Sequence, residues 1–134
     1  MKINPYLVFS GDCEAAFRLY ADALGATIER LMTFGESPAC ADIPANYHNK
    51  VMHVCLSLGD QTLMGSDCPP GVPNGPMQGC SISVNVVSVA EADRVFAALS
   101  AGGEVRMPLD KTFWAQRFGM CVDRFGVSWM VNCE

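Results

Sequence analysis

The chain has 134 residues, half of them hydrophobic, enough for one ordinary core and too few for two independent ones. A formal charge of −5, with only 9 scattered Lys plus Arg, excludes the basic footprint of a nucleic-acid or anionic-membrane binder. Its seven cysteines are odd in number and form no Cys-x-x-Cys pair, so they read as reduced thiols of a cytoplasmic protein, not a disulfide scaffold.

No apolar run approaches the ~20 residues of a spanning helix. The N-terminus enters a strand pattern at once, so no signal peptide is expected. Ile3 to Phe9 is that first strand. Ser10-Gly11-Asp12 follows as turn and helix-cap chemistry, with Asp12 expected to accept from the first-turn amides. Residues 13 to 24 carry Ala16, Leu19, Tyr20 and Ala23 at helical spacing, and Gly25 stops the helix. Thr27 to Phe34 and Val51 to Leu58 read as strands, and Gln61 to Gly65 makes a short fourth. The roughly sixteen residues between Gly35 and Lys50 are long for a connection, which predicts a mobile cover.

Composition breaks at Asp67 to Pro76, where four prolines and two glycines in ten residues preclude a helix or central strand. The boundaries expected are 1–66 and 79–134, joined by a linker over 67–78. Beyond it the plan repeats. Cys80 to Val87 is a strand, Ser88 a cap, and residues 89 to 101 a helix with Ala92, Val95, Phe96 and Leu99 on one face. Gly102-Gly103 ends it, and Glu104 to Met107 begins another strand. The chain closes on a hairpin in which two apolar runs flank Asp123-Arg124-Phe125-Gly126. Trp114 precedes its outgoing strand and Trp129 lies on the returning one.

Each half is therefore strand, helix, then three strands, an α+β unit and not a doubly wound parallel sheet. One sheet face of such a unit is covered by its helix and the other is bare. Two units can enclose a cavity between their bare faces, which gives the duplication a physical reason.

Four stretches resemble the vicinal oxygen chelate superfamily of glyoxalases, ring-cleaving dioxygenases and bleomycin or fosfomycin resistance proteins. They are Tyr6-Leu7-Val8-Phe9-Ser10-Gly11-Asp12, Met52-His53-Val54-Cys55-Leu56, Leu63-Met64-Gly65-Ser66-Asp67 and the C-terminal hairpin. The nearest branch is the PhnB-like proteins, often labelled demethylubiquinone methyltransferases. The resemblance spans nearly the whole chain and implies two βαβββ modules whose sheets curve around a central cavity. It also implies a homodimer, in some members with exchanged modules.

Alternation sorts the strand residues by face. Ile82, Val84 and Val86 oppose Ser81, Ser83 and Asn85. Met52, Val54, Leu56 and Leu58 oppose His53, Cys55 and Ser57. Val127, Trp129 and Val131 oppose Ser128, Met130 and Asn132. Solvated faces carry Lys, Glu, Thr and Arg, whereas these stripes are short and neutral, as a pocket lining is.

Enzymes of the superfamily hold a divalent metal on His and Glu side chains of the first and last strands of each module. The resemblance sets the first ligand seven residues before the helix-opening residue, at Pro5 and Ser81. It sets the last at Met130, with Leu63 or Met64 as the counterpart. None of these binds zinc, nickel, iron or manganese well, so no metal and no cofactor are expected. His53 and the loop residue His48 are the only imidazoles. A thiol–imidazole pair of Cys55 with His53 would need an activating positive group.

There is no Gly-x-Ser-x-Gly elbow, Walker loop or dinucleotide fingerprint. A nucleotide-like methyl donor needs a strand, glycine-rich loop and helix in a parallel sheet, so the methyltransferase label has no support in the pattern. The first functional reading is a metal-free small-molecule-binding protein. Its expected ligand-binding residues are His53, Trp114, Phe9, Phe113, Ser81, Ser83, Asn85 and Ser128, and no catalytic residue is assigned. The alternative is a metal-dependent lyase, isomerase or dioxygenase with a displaced site using His53. A third reading is a dimer scaffold. Expected partners are a small-molecule ligand and a second copy of the chain, with neither nucleic acid nor membrane.

Overall fold

Helix α1, Cys13–Leu24, buries Cys13, Ala16, Phe17, Tyr20 and Ala23, a stripe of 3.6-residue period in which Phe17, not the expected Leu19, is buried. Gly25 ends it with φ +65°, a left-handed backbone open to glycine without cost. The N-terminal end differs from expectation. Asp12 makes no side-chain cap. The cap is supplied instead by Asp67, whose Oδ1 accepts from the amides of Gly11 and Cys13 at 2.8 and 3.1 Å.

The computed structural model describes residues 1–134. It divides into two compact units, Met1–Gly75 and Pro76–Glu134. In the N-terminal unit the strands are β1 (Tyr6–Phe9), β2 (Thr27–Thr33), β3 (Val51–Leu58) and β4 (Gln61–Asp67). They lie in the order β1-β4-β3-β2, with β1 parallel to β4 and the other pairs antiparallel. Leu7, Phe9, Val54, Leu56 and Leu63 pack under α1 to make the core. Asp67 closes β4 and is not part of the linker.

The C-terminal unit repeats the arrangement with β5 (Ile82–Val86), α2 (Val89–Ser100), β6 (Glu104–Asp110), β7 (Arg117–Val122) and β8 (Ser128–Cys133). The order β5-β8-β7-β6 again has one parallel pair at its edge, β5 with β8. Ser88 caps α2 as expected, accepting from the Glu91 amide at 3.1 Å. Ala92, Val95, Phe96 and Leu99 meet Cys121, Trp129, Val131 and Cys133 in the core. The architecture is thus two βαβββ units of α+β class, as the repeated sequence plan predicts. No helix is long and apolar enough to cross a membrane.

Both helices press an aromatic ring against a strand glycine. A Cβ at Gly65 would lie 2.7 Å from Phe17 Cε2, and one at Gly119 would lie 2.8 Å from Phe96 Cε2. The absent side chains are what let each ring reach the sheet.

Candidate functional site: the open sheet faces

In the C-terminal unit the face opposite α2 carries Ser83 and Asn85 from β5, and Ser128, Met130 and Asn132 from β8. Phe118 and Met120 of β7 share it through their pairing with Asn132 and Met130. Asn132 pairs in turn with Asn85, and its Nδ2 donates to Asn85 Oδ1 at 3.2 Å. Asn132 Oδ1 is buried and has no hydrogen-bond partner. A buried acceptor left unpaired costs about 1–3 kcal/mol, so a donor that reached this carbonyl would be favoured.

Trp114 stands edge-on to Phe118 with ring centroids 5.3 Å apart, and Phe113 stands edge-on to Trp114 at 4.8 Å. Thr112 sets this approach. Its hydroxyl accepts from the amides of Trp114 and Ala115, and its own amide donates to the Ala115 carbonyl. Trp114 stays 48% exposed and Phe113 97% exposed. One row across the face therefore runs Trp114, Phe118, Asn132, Asn85, from aromatic to amide. Ser81 lies one residue before β5, exposed and in phase with Ser83.

The N-terminal unit places His53 on its open face with Cys55 and Ser57, the phase that alternation predicts. The imidazole stacks on the Tyr6 ring, centroids 5.9 Å apart and planes at 28°, with Nδ1 3.4 Å from the Tyr6 hydroxyl. Phe9 is the correction among the expected binding residues. It is 2% exposed, on the helix side of β1, edge-on to Phe17 at 6.1 Å. It belongs to the core because α1 selects Leu7 and Phe9 over Tyr6 and Val8.

The expected ligand register also shifts. Pro5 falls in phase with Leu7 and Phe9, so the open-face position of β1 is Tyr6, paired with Met64. The equivalent pair in the other unit is Ser83 with Met130. Neither a phenol with a thioether in one unit nor a hydroxyl with a thioether in the other is a donor pair for a divalent Lewis-acid ion. No three His, Cys, Asp or Glu side chains gather to replace it. His48 is not a second ligand beside His53, because its Nε2 donates to the carbonyls of Cys40 and Ile43 at 3.0 and 2.9 Å.

That histidine pins the 35–50 loop, which was expected to be a mobile cover. The loop also ties Gly35 N to the His48 carbonyl, the Tyr47 ring to Phe34, and the Tyr47 hydroxyl to the Cys68 carbonyl. Three short turns wind it onto its own unit. A cleft of about 360 Å³ lies beside the start of α1, lined in part by Gly11, Glu14, Arg18, Lys50 and Asp67. Most of its charges are engaged: Lys50 Nζ donates to the Gly11 carbonyl, Arg18 meets Glu14, and Asp67 takes the Gly11, Cys13 and Val51 amides.

Sequence reasoning missed Phe118 and Asn132 as site residues. The alternation of Ser128, Met130 and Asn132 already carried the signal for the second. It also gave the two buried carboxylates, Asp67 and Asp123, only turn roles. Asp123 takes Trp129 Nε1–H on Oδ2, and the amides of Phe125 and Val127 on Oδ1.

Residues 1–132 match the family described as 3-demethylubiquinone-9 3-methyltransferase. The chain belongs to that family. Protein YjdN of Escherichia coli is 32% identical, the match covering 98% of this chain and 95% of YjdN. The crystal structure of protein PA1353 from Pseudomonas aeruginosa is 52% identical with a TM-score of 0.93, over 100% of this chain and 98% of that one. The fosfomycin resistance protein FosX from Mesorhizobium loti shares the fold at 12% identity, with a TM-score of 0.64 over 100% and 91% of the two chains. Family and fold together set the chain in the vicinal oxygen chelate superfamily, among its PhnB-like members.

Proposed function

We propose that this family member is a small-molecule-binding protein that works without the superfamily's divalent metal. Its binding surface is the open face of the C-terminal unit. The observation that carries this reading is the row from Trp114 and Phe118 to Asn132, which ends on a buried carbonyl oxygen lacking a donor. A planar ligand with a ring and an adjacent N–H group fits it. The ring stacks beside Trp114 and Phe118, and the N–H reaches Asn132 Oδ1. Phe113, Ser83, Asn85 and Ser128 surround these contacts, and Ser81 borders them.

The alternative activity in the family's label finds little support in the chemistry. A nucleotide-like methyl donor binds free amides of a glycine-rich loop between a parallel strand and a helix. The corresponding loop here spends the Gly11 amide on Asp67 and the Gly11 carbonyl on Lys50.

The test is a fluorescence titration with aromatic amides, benzamide first, since Trp114 is exposed and Trp129 is buried. The parent protein should show saturable quenching. Trp114→Ala and Asn132→Ala should each weaken binding about tenfold, the equivalent of ~1.4 kcal/mol. Unchanged affinity in both variants would exclude this face as the binding surface.

A further inference from the structure

On the open face of the N-terminal unit, Cys55 pairs directly with Met64 across β3 and β4. His53 stands two residues along β3 on the same side. Directly paired side chains start with Cβ atoms about 4.5–5.5 Å apart, within reach of one ion for a thiol and a flexible thioether. The imidazole leans toward β4. To stack on Tyr6 of β1 it must lean across β4, the strand that carries Met64 and separates β3 from β1. Cys55, His53 and Met64 are each half-buried, so water is partly excluded without closing the approach.

We propose that His53, Cys55 and Met64 form a binding site for a soft monovalent metal ion, Cu(I). Thiolate, imidazole and thioether suit a soft ion and suit magnesium, calcium or manganese poorly. The site shares Met64 with the β1–β4 position that the superfamily's divalent centre would use, but draws its thiolate and imidazole from β3 instead of hard donors from β1 and β4. Binding displaces the Cys55 thiol proton to solvent while the ion stays Cu(I), so no oxidant or reductant is required. Tyr6 is a positioning residue. Its hydroxyl lies 3.4 Å from His53 Nδ1, and with the ring proton on Nδ1 it would accept from that N–H and leave the Nε2 lone pair for the ion.

The C-terminal unit supplies an internal control. The positions equivalent to His53, Cys55 and Met64 there are Phe118, Met120 and Met130, which pair in the same register. Met107 extends that row through its pairing with Met120, giving thioethers alone with neither thiolate nor imidazole.

The test titrates fully reduced protein with Cu(I) under argon against a chromophoric Cu(I) chelator, in a Cys80→Ser background that removes the exposed thiol. One tight equivalent is expected. Cys55→Ser should abolish it, Met64→Leu and His53→Ala should weaken it, and Tyr6→Phe should weaken it about tenfold. Met120→Leu should leave it unchanged. Met64→Leu preserves volume and should fold even where other variants do not. As a second readout, Ag(I) added to unsubstituted protein should shift the His53 ring and Met64 methyl resonances together. Equal affinity in parent, Cys55→Ser and Met64→Leu, or silver shifts confined to other cysteines, would overturn the assignment.

Discussion

The indole Nε1 of Trp129 donates to Asp123 Oδ2 at 2.8 Å, and both residues are buried in the closing hairpin. The same carboxylate takes two turn amides on its other oxygen, so one side chain fixes the turn and orients the largest core residue. Replacing Asp123 by Ala strips these donors of their acceptor and leaves a cavity beside the indole. The expected loss is about 3 kcal/mol, since each buried donor left unpaired costs about 1–3 kcal/mol. Urea unfolding should show a lower midpoint at unchanged slope. A shift under a few tenths of a kcal/mol would mean that water replaces the carboxylate.

Asp67 has the matching role in the other unit, joining the loop before α1 to the start of β3 through Gly11, Cys13 and Val51 amides. Asp67→Asn keeps the size but turns one acceptor oxygen into a donor that faces another donor. A destabilisation of about 3 kcal/mol is expected. Amide exchange at Cys13 and Val51 should accelerate before exchange in the C-terminal unit does. Uniform acceleration across both units would contradict a local role.

Gly65→Ala tests the ring contact. The new Cβ would meet Phe17 Cε2 at 2.7 Å and the Leu7 carbonyl at 2.8 Å, and the second contact is backbone that cannot swing aside. Overpacking of this kind costs about 1–3 kcal/mol. Gly75→Ala, with open space around its Cβ, is the control and should change thermal stability little.

How much of this was legible in the sequence depends on whether the deciding contact was local. Residues 54–57 and most of Cys13–Leu24 are readable from alternation and helical period, but a register shift opposite Met52 buries Val51 where alternation expects Met52. Phe9 was misplaced because β1 has only four residues, and its phase is chosen by Phe17 across the core. Asp67 falls in the expected linker because Asp before Cys-Pro-Pro looks like turn chemistry. The amides that claim it belong to residues 11, 13 and 51, and no local pattern announces them. Asp12, beside the helix start, looked like the cap and is not. The aromatic cluster was half visible. Trp114 and Phe113 stand out by type, but Phe118 joins them only through the fold.

The buried thiols give a pH dependence whose sign is fixed by the structure. Burial pushes the Cys121 thiol up from 9.0 to about 11, with Asp123 adding to the effect, and burial beside Asp67 raises Cys13 well beyond its ordinary range. The folded state therefore favours the protonated thiols, while the unfolded chain releases their protons near pH 9. Their contribution to stability is fully present below that pH and falls as pH rises toward 11. Tyr47, held up to about 12 chiefly by burial, titrates above this window. Urea midpoints measured from pH 8 to 10.5 should hold until about pH 9 and then fall, less steeply in Cys121→Ala. Iodoacetamide at pH 8 should modify exposed Cys80 in the native protein and reach Cys13 and Cys121 only on unfolding. Native-state alkylation of Cys121 at the rate of Cys80 would show that its thiol is neither buried nor held protonated.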